Sequence, residues 1–257
     1  MRFLFQKAPR CGWLLIAVLL APVVVSTESQ TTPLPSGREV IARYVDAIGG
    51  QAALKAVKSI RFRGQFELTG QNLRGDFETV AARPARLSSV ATMPGVGRIE
   101  RTYDGQVGWA IDPFLGPRLI KDRELQEFAA EAEFDNPLHP SEFIKELTTV
   151  EKTQYDNRPA YKVHVVHISG VEQMEYFDVE TGLQLGWEAT RVLGPQSAFP
   201  TSEMMRDYKK FGPIMFPTTV VEHALSNEQV LHATSIEYDV VPANAFDMPP
   251  QIKALVK

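Results

Sequence analysis

From Ser59 onward the chain alternates apolar and polar residues with a period of two. Ile60, Phe62, Phe66 and Leu68 interleave with Arg61, Arg63, Gln65 and Glu67, the pattern of a strand with one buried and one wetted face. The same alternation returns in Tyr103, Val107, Trp109 and Ile111, in Leu183, Leu185, Trp187 and Ala189, and in Val230, Thr234, Ile236, Tyr238 and Val240. Thr69-Gly70, Asp104-Gly105, Asp156-Asn157, Thr181-Gly182 and Ser226-Asn227 fall between such runs, and these residue pairs favour tight reversals. Roughly ten successive antiparallel strands follow, at the spacing of a sandwich, a barrel or a large curved sheet.

Two stretches change period. Ahead of the strands, Ser36 and Glu39 have the spacing of a capping box, Val40, Ile41, Tyr44, Val45 and Ile48 share one helical face, and Gly49-Gly50 supplies a stop. A short second helix is expected over 51–57. Midway, Asp122 can cap a helix with Leu125, Phe128, Ala129 and Ala132 on one face. Its acidic run, Glu124, Glu127, Glu131, Glu133 and Asp135, lacks the alternating spacing of a calcium loop and reads as a solvated helix face. Asn136-Pro137 ends it, and a further helical turn or two is expected from Pro140 to Leu147, presenting Phe143, Ile144 and Leu147. The apolar face of the sheet is the surface large enough to receive these helices.

The first 26 residues have another character. Arg2, Lys7 and Arg10 precede an apolar run from Trp13 to Val25, shorter than the roughly 20 residues of a membrane span. Small residues before Thr27 complete a secretory signal peptide with cleavage near Ser26, which directs the protein to the periplasm or the exterior. Residues 27–35 read as a flexible leader and 36–257 as one domain. Cys11 precedes the apolar run, the wrong place for a lipidated cysteine. Without those three basic residues the net charge of −4 becomes −7, and no cysteine remains for a disulfide or thiolate metal site. An acidic balance disfavours nucleic acid and limits membrane contact to a transient one.

Catalytic signatures are absent from the sequence: no Gly-x-Ser-x-Gly elbow, no phosphate loop of standard spacing, no His-Glu-x-x-His. Met93-Pro94-Gly95-Val96-Gly97 lies between strand patterns and reads as a hairpin loop. His164 and His167 are an odd number of positions apart on a predicted strand and so face opposite sides. His223 and His232 flank a turn and are placed to face each other across a hairpin. The expectation is a binding protein rather than an enzyme, with no metal and no cofactor, a secreted enzyme without a recognisable motif being the lesser alternative.

Several segments resemble the outer-membrane lipoprotein-sorting-protein-like group. They are Ser36 to Gly50 followed by Ala53 to Ile60, Tyr103-Asp104-Gly105 with Gly108-Trp109, and Phe177-Asp178 with Thr181-Gly182-Leu183. Asp207-Tyr208-Lys209 with Gly212 and Phe216-Pro217, and Ala245-Phe246 with Pro249, complete the match. The resemblance implies a LolA-like fold, α+β and mainly β: a curved antiparallel sheet forming an incomplete barrel with helices over its concave face. It also implies a lipid, an acylated lipoprotein or another apolar ligand in that concavity. The family's lid-holding polar residue has no counterpart here, since Arg61 and Arg63 fall on the wetted face. Phe62, Phe66, Trp109 and Trp187 are the expected cavity residues, and Leu125, Phe128, Phe143 and Leu147 the expected lid. The same aromatics would also serve as a filled core, and the chain would then be an interaction or sensor module with an envelope protein partner.

Overall fold

The computed structural model describes residues 33–193 and 197–256. The expected signal segment with Cys11 and most of the leader lie outside the described residues. Helix α1 (Gly37–Ala47) opens with the capping box: the Ser36 hydroxyl accepts from the Glu39 amide at 3.3 Å, and the Glu39 carboxylate accepts from the Ser36 amide at 2.7 Å. Gly49, at φ 134°, turns the chain into α2 (Gly50–Ala56).

Strands β1 (Ser59–Leu68), β2 (Leu73–Ala82), β3 (Arg86–Met93), β4 (Gly97–Tyr103), β5 (Gly108–Asp112) and β6 (Gly116–Ile120) follow as a meander. After α3 (Asp122–Glu131) and α4 (Pro140–Phe143) come β7 (Ile144–Tyr155), β8 (Arg158–His167), β9 (Glu172–Asp178), β10 (Gln184–Leu193), β11 (Ser197–Phe211), β12 (Ile214–Ala224) and β13 (Asn227–Tyr238). A 3-10 turn (Ala243–Phe246) and α5 (Pro250–Lys253) end the chain. All pairings are antiparallel, in the order β6-β5-β4-β3-β2-β1-β13-β12-β11-β10-β9-β8-β7. The first and last strands therefore meet in the middle, and the two halves of the chain form two arms.

Thirteen strands exceed the ten expected, because short β4, β5 and β6 are separated only by brief turns. Asp104 and Asp112 fold two of these turns, their carboxylates accepting from the amides of Gln106 and Val107, and of Phe114 and Leu115.

Helix α3 shows that the sheet curls. It touches both β5 and β10, which stand second and tenth in the strand order. Eight inter-strand steps would span roughly 38 Å on a flat sheet, whereas this helix is only about 15 Å long. The arms must bend toward each other, leaving β6 and β7 as free edges and the barrel incomplete.

The helices cover the inner face in three apolar clusters. Val40 of α1 packs with Val163, Val165 and Phe177, α2 meets Ile60, Ile214 and Ile236, and Phe128 and Ala132 lie on Leu87, Ala110 and Ile120. Fully burying a side chain such as Phe128 contributes about 1.5–3 kcal/mol. The C-terminal turn takes the other side: Phe246 packs with Val80 and Ala82 on the outer face of β2, and α5 lies by β6.

Two local expectations are corrected. The helix at Pro140 ends after one turn, and Ile144 begins β7, so Leu147 belongs to a strand. Pairing with β8 along a β-branched stretch, Thr148 to Val150, outweighs the weak helical periodicity. The acidic face of α3 is also only partly solvated: Glu124 and Glu127 are 3% and 6% exposed and are paired to Arg118 and Arg123.

Candidate ligand-binding face

Strand register arranges the inner face in transverse rows. One row is apolar, Phe66 opposite Leu231, then Val220, then Met205. Two residues further along each strand the next row reads Gln229, Glu222, Glu203, Trp187 and Glu175. The rows lie roughly 7 Å apart.

Glycines flatten the apolar row. A Cβ on Gly75 would stand 2.7 Å from the Phe66 ring, and one on Gly64 2.7 Å from the Phe77 ring. Each aromatic ring thus lies over bare backbone on the neighbouring strand.

The polar row holds carboxylates with few partners. Glu203 and Glu222 are directly opposite across β11 and β12, an unfavourable placement for like charges. The Trp187 indole donates to Glu203 at 2.9 Å, and the Arg191 guanidinium stacks 4.6 Å over the same indole. Arg191 donates to Gln173 at 3.0 Å, and Gln173 in turn donates to Glu175 at 2.6 Å. Burial pushes the Glu203 carboxyl up to about 8, with Glu222 and Glu131 of α3 adding to the effect. Burial also raises Glu222, again reinforced by Glu131, and raises Glu175 against the hydrogen bond from Gln173. Among the described residues, Glu131, Glu203 and Glu222 form no ion pair.

At the end of β8, His167 is 4% exposed and its Nδ1 has no hydrogen-bond partner. Glu133, just past α3, brings an equally unpartnered Oε2 to 4.0 Å from it. Burial lowers the imidazole and pushes the Glu133 carboxyl up to about 7.

Helix α3 spans this face as a lid with unequal attachments. On the β3–β6 arm it has the Phe128 cluster, the Arg101 guanidinium 4.5 Å over the Phe128 ring, and a two-pronged Arg118–Glu124 ion pair at 2.8 and 2.7 Å. On the other arm, Glu127 accepts from the Val192 amide at 2.8 Å while Arg123 donates to its second oxygen at 3.0 Å. The β9 pairing of β10 stops at Glu188, leaving that amide available.

The expected cavity residues separate on the two faces. Phe62, Phe66 and Trp187 are on the inner face, as are Leu125 and Phe128 of the lid. Phe62 packs edge-on against Phe216 in the α2 cluster. Leu147 is also inside but supports α1, its Cγ 2.8 Å from where a Cβ on Gly37 would stand. Phe143 closes α4, its carbonyl accepting from the Ile168 amide at 2.9 Å, and joins none of the helix-bearing clusters. Trp109 lies on the outer face: its neighbour Ala110 packs beneath Phe128, so strand alternation turns the indole the other way.

Glu175, Glu203 and Glu222 were missed from the sequence. The signal was there in the alternation, which puts Glu203 on the same side as Met205 and Glu222 on the same side as Val220. Outside, His164 pairs with Glu172 at 3.3 Å and His223 with Glu228 at 3.7 Å, while His232 sits opposite Thr219 rather than His223. His164, Glu172, Met174, Glu188, Ser202 and His223 line an open groove of about 1030 Å³ there. Arg61 and Arg63 are also outside, bridged to Glu78 and Glu237. Among the described residues no group of three or more His, Cys, Asp or Glu could hold a metal ion, and no helix is long and apolar enough to cross a membrane.

No family model matches the sequence, and no curated protein matches it. Solved structures do share its fold. A LolA superfamily protein from Nitrosomonas europaea superposes with a TM-score of 0.57 at 11% identity, over 84% of this chain and 99% of that one. A putative outer membrane lipoprotein-sorting protein domain from Vibrio parahaemolyticus gives 0.53 at 13% identity, over 82% and 96%. A DUF1329 family protein from Desulfovibrio piger gives 0.56 at 13%, over 84% and 97%. At this identity the likenesses establish the fold, which is LolA-like.

Proposed function

We propose that this is a cell-envelope binding protein that takes up a lipid, a lipoprotein acyl chain or another apolar ligand on the inner face of its half-barrel, by parting of α3 from the β8–β13 arm. The unequal attachment of α3 carries this reading. An apolar cluster and a two-pronged ion pair hold it to one arm, while the Glu127–Val192 hydrogen bond is its specific tie to the other. Opening on that side uncovers the row of Phe66, Leu231, Val220 and Met205. Each ligand methylene buried there contributes about 0.8 kcal/mol, so a long chain can offset the cost of ordering it. The step is non-covalent, and release requires an acceptor, membrane or protein, that offers comparable burial.

A second reading keeps the inner face filled by the protein's own side chains, with the chain acting as an interaction or sensor module. The three closed helix–sheet clusters favour it. Native mass spectrometry with organic extraction, on protein secreted and purified without detergent, separates the two. A bound apolar species at defined stoichiometry, lost in a folded Phe66→Arg variant, is the expected result. A bare mass together with a crosslinked protein partner would replace the first reading by the second.

A further inference from the structure

A second contact crosses the seam where α3 meets the β8–β13 arm. Glu133, two residues past the helix, and His167, the last residue of β8, bring Oε2 and Nδ1 to 4.0 Å, and both atoms are sealed from solvent without a hydrogen-bond partner. Each end is anchored to its own side. Phe134 lies under the Arg83 guanidinium at 5.0 Å, and Asp135 accepts from Arg83 at 2.6 and 2.8 Å, which ties the chain after Glu133 to the turn following β2. His167 is held at the β8–β9 turn, its amide donating to the Val171 carbonyl at 2.8 Å and its carbonyl accepting from the Gly170 amide at 2.9 Å. Parting of α3 from that arm must separate the two side chains and wet both.

Few other charges face the pair. Tyr103 on β4 is within electrostatic reach of Glu133, and Arg191 on β10 of His167. Opposite His167, β7 places Ile144, while its Lys145 and Glu146 are exposed and pair with each other at 3.8 Å. His139 and Glu142, at the start of α4, likewise pair with each other at 3.7 Å. An ion pair buried here would lack the additional hydrogen bonds that offset its desolvation, whereas a neutral carboxyl and a neutral imidazole share one proton without buried charge. Burial acts in that direction, pushing the Glu133 carboxyl up to about 7 from an ordinary 4.5. It also lowers the imidazole below its ordinary 6.5, with Arg191 adding to the effect.

Resting on the parting of α3 proposed above, we infer that Glu133 and His167 gate that movement: they close the seam as a neutral pair holding one proton and ionise when it opens, the acid and the base offsetting each other's pH dependence. In the parted state Glu133 ionises above 4.5 and His167 takes up a proton below 6.5. Between those values parting moves a proton from one to the other with no net exchange with solvent. With Glu133 alone the shut state would bind more protons, so rising pH would favour opening. With His167 alone the parted state would bind more, so falling pH would favour it. Together they hold the lid's response nearly level.

Hydrogen exchange of the α3 amides, corrected for intrinsic rates, reads the opening constant of the secreted protein at about pH 6 and about pH 8 without any ligand. Between these the wild-type constant should rise by no more than about threefold, that of His167→Asn should rise about tenfold, and that of Glu133→Gln should fall about fourfold. Near-ultraviolet circular dichroism checks folding, and the reversed slope of Glu133→Gln decides alone if His167→Asn does not fold. Equal slopes in wild type and Glu133→Gln, or α3 amides exchanging only in step with those of central strand β1, would overturn the gate. Calorimetric titration with dodecanol, an apolar probe whose head does not titrate, tests the binding role separately. Dodecanol binding with equal exchange slopes would overturn the gate alone, and no binding with the expected slopes would overturn the binding role alone.

Discussion

Replacing Glu203 by Gln should make the protein more stable at mildly alkaline pH and leave it unchanged in acid. In the folded chain burial holds this carboxyl up to about 8, against an ordinary value of 4.5. The groups facing it are Glu222 on β12, Glu131 on α3, Trp187 and Arg191 on β10, with Arg101 acting on Glu222. Below the unfolded value both states are protonated and the group costs nothing. Between the two values unfolding releases a proton, so stability falls as pH rises and is lowest once pH passes the folded value. The interval from 4.5 to about 8 corresponds to at most about 5 kcal/mol at 1.36 kcal/mol per unit. Water drawn in beside the ionised group relieves part of this, which leaves about 2–3 kcal/mol as the expected difference. Glutamine keeps the acceptor for the Trp187 indole and cannot ionise. Urea unfolding of both proteins at about pH 5 and about pH 8.5 measures the effect as a double difference. Parallel pH profiles for wild type and variant would refute the reasoning, because they would mean that Glu203 is solvated or already paired.

Two more outcomes follow from the geometry. Glu127→Ala removes the acceptor of the Val192 amide and should raise amide exchange in α3 by about tenfold or more, with a stability cost of about 1–3 kcal/mol; unchanged exchange would mean that the apolar cluster alone holds the lid. Gly75→Ala forces a methyl against the Thr92 carbonyl oxygen and to 2.7 Å from the Phe66 ring and should cost about 1–3 kcal/mol in thermal or urea unfolding, with unaltered stability arguing against this close approach of β3 and the ring to Gly75.

Much of the fold was legible in the sequence because it is locally encoded. The capping box at Ser36 and Glu39, the glycine stop at Gly49, and the reversals at Asp104-Gly105 and Thr181-Gly182 depend on residues within a few positions of each other. Arg61 and Arg63 were correctly placed on the wetted face by alternation alone. What alternation cannot supply is the identity of the faces along different strands. Trp109 and Phe66 both sit in alternating runs, yet one points outward and the other inward, and only the register linking β5 to β1 decides it. The candidate site was missed for a related reason. Alternation puts each glutamate on the apolar side of its own strand, but Glu203 meets Glu222 only through a pairing and Glu131 only through the curl of the sheet. Leu147 failed locally, since a one-turn helix and the start of a strand share too few residues for either period to show.

The C-terminal segment gives the two arms different mechanical standing. Phe246 and α5 back the outer side of the β2–β6 arm while α3 and its ion pair brace it from within, so that arm is a sandwich of three layers. On the outer side of β8–β12 an open groove lies where such backing would be. The molecule is thus a clamp with one fixed jaw and one compliant jaw. Widening to admit a guest will be taken up by the compliant jaw, and the guest's size will be read there as strand displacement while the fixed jaw holds its shape.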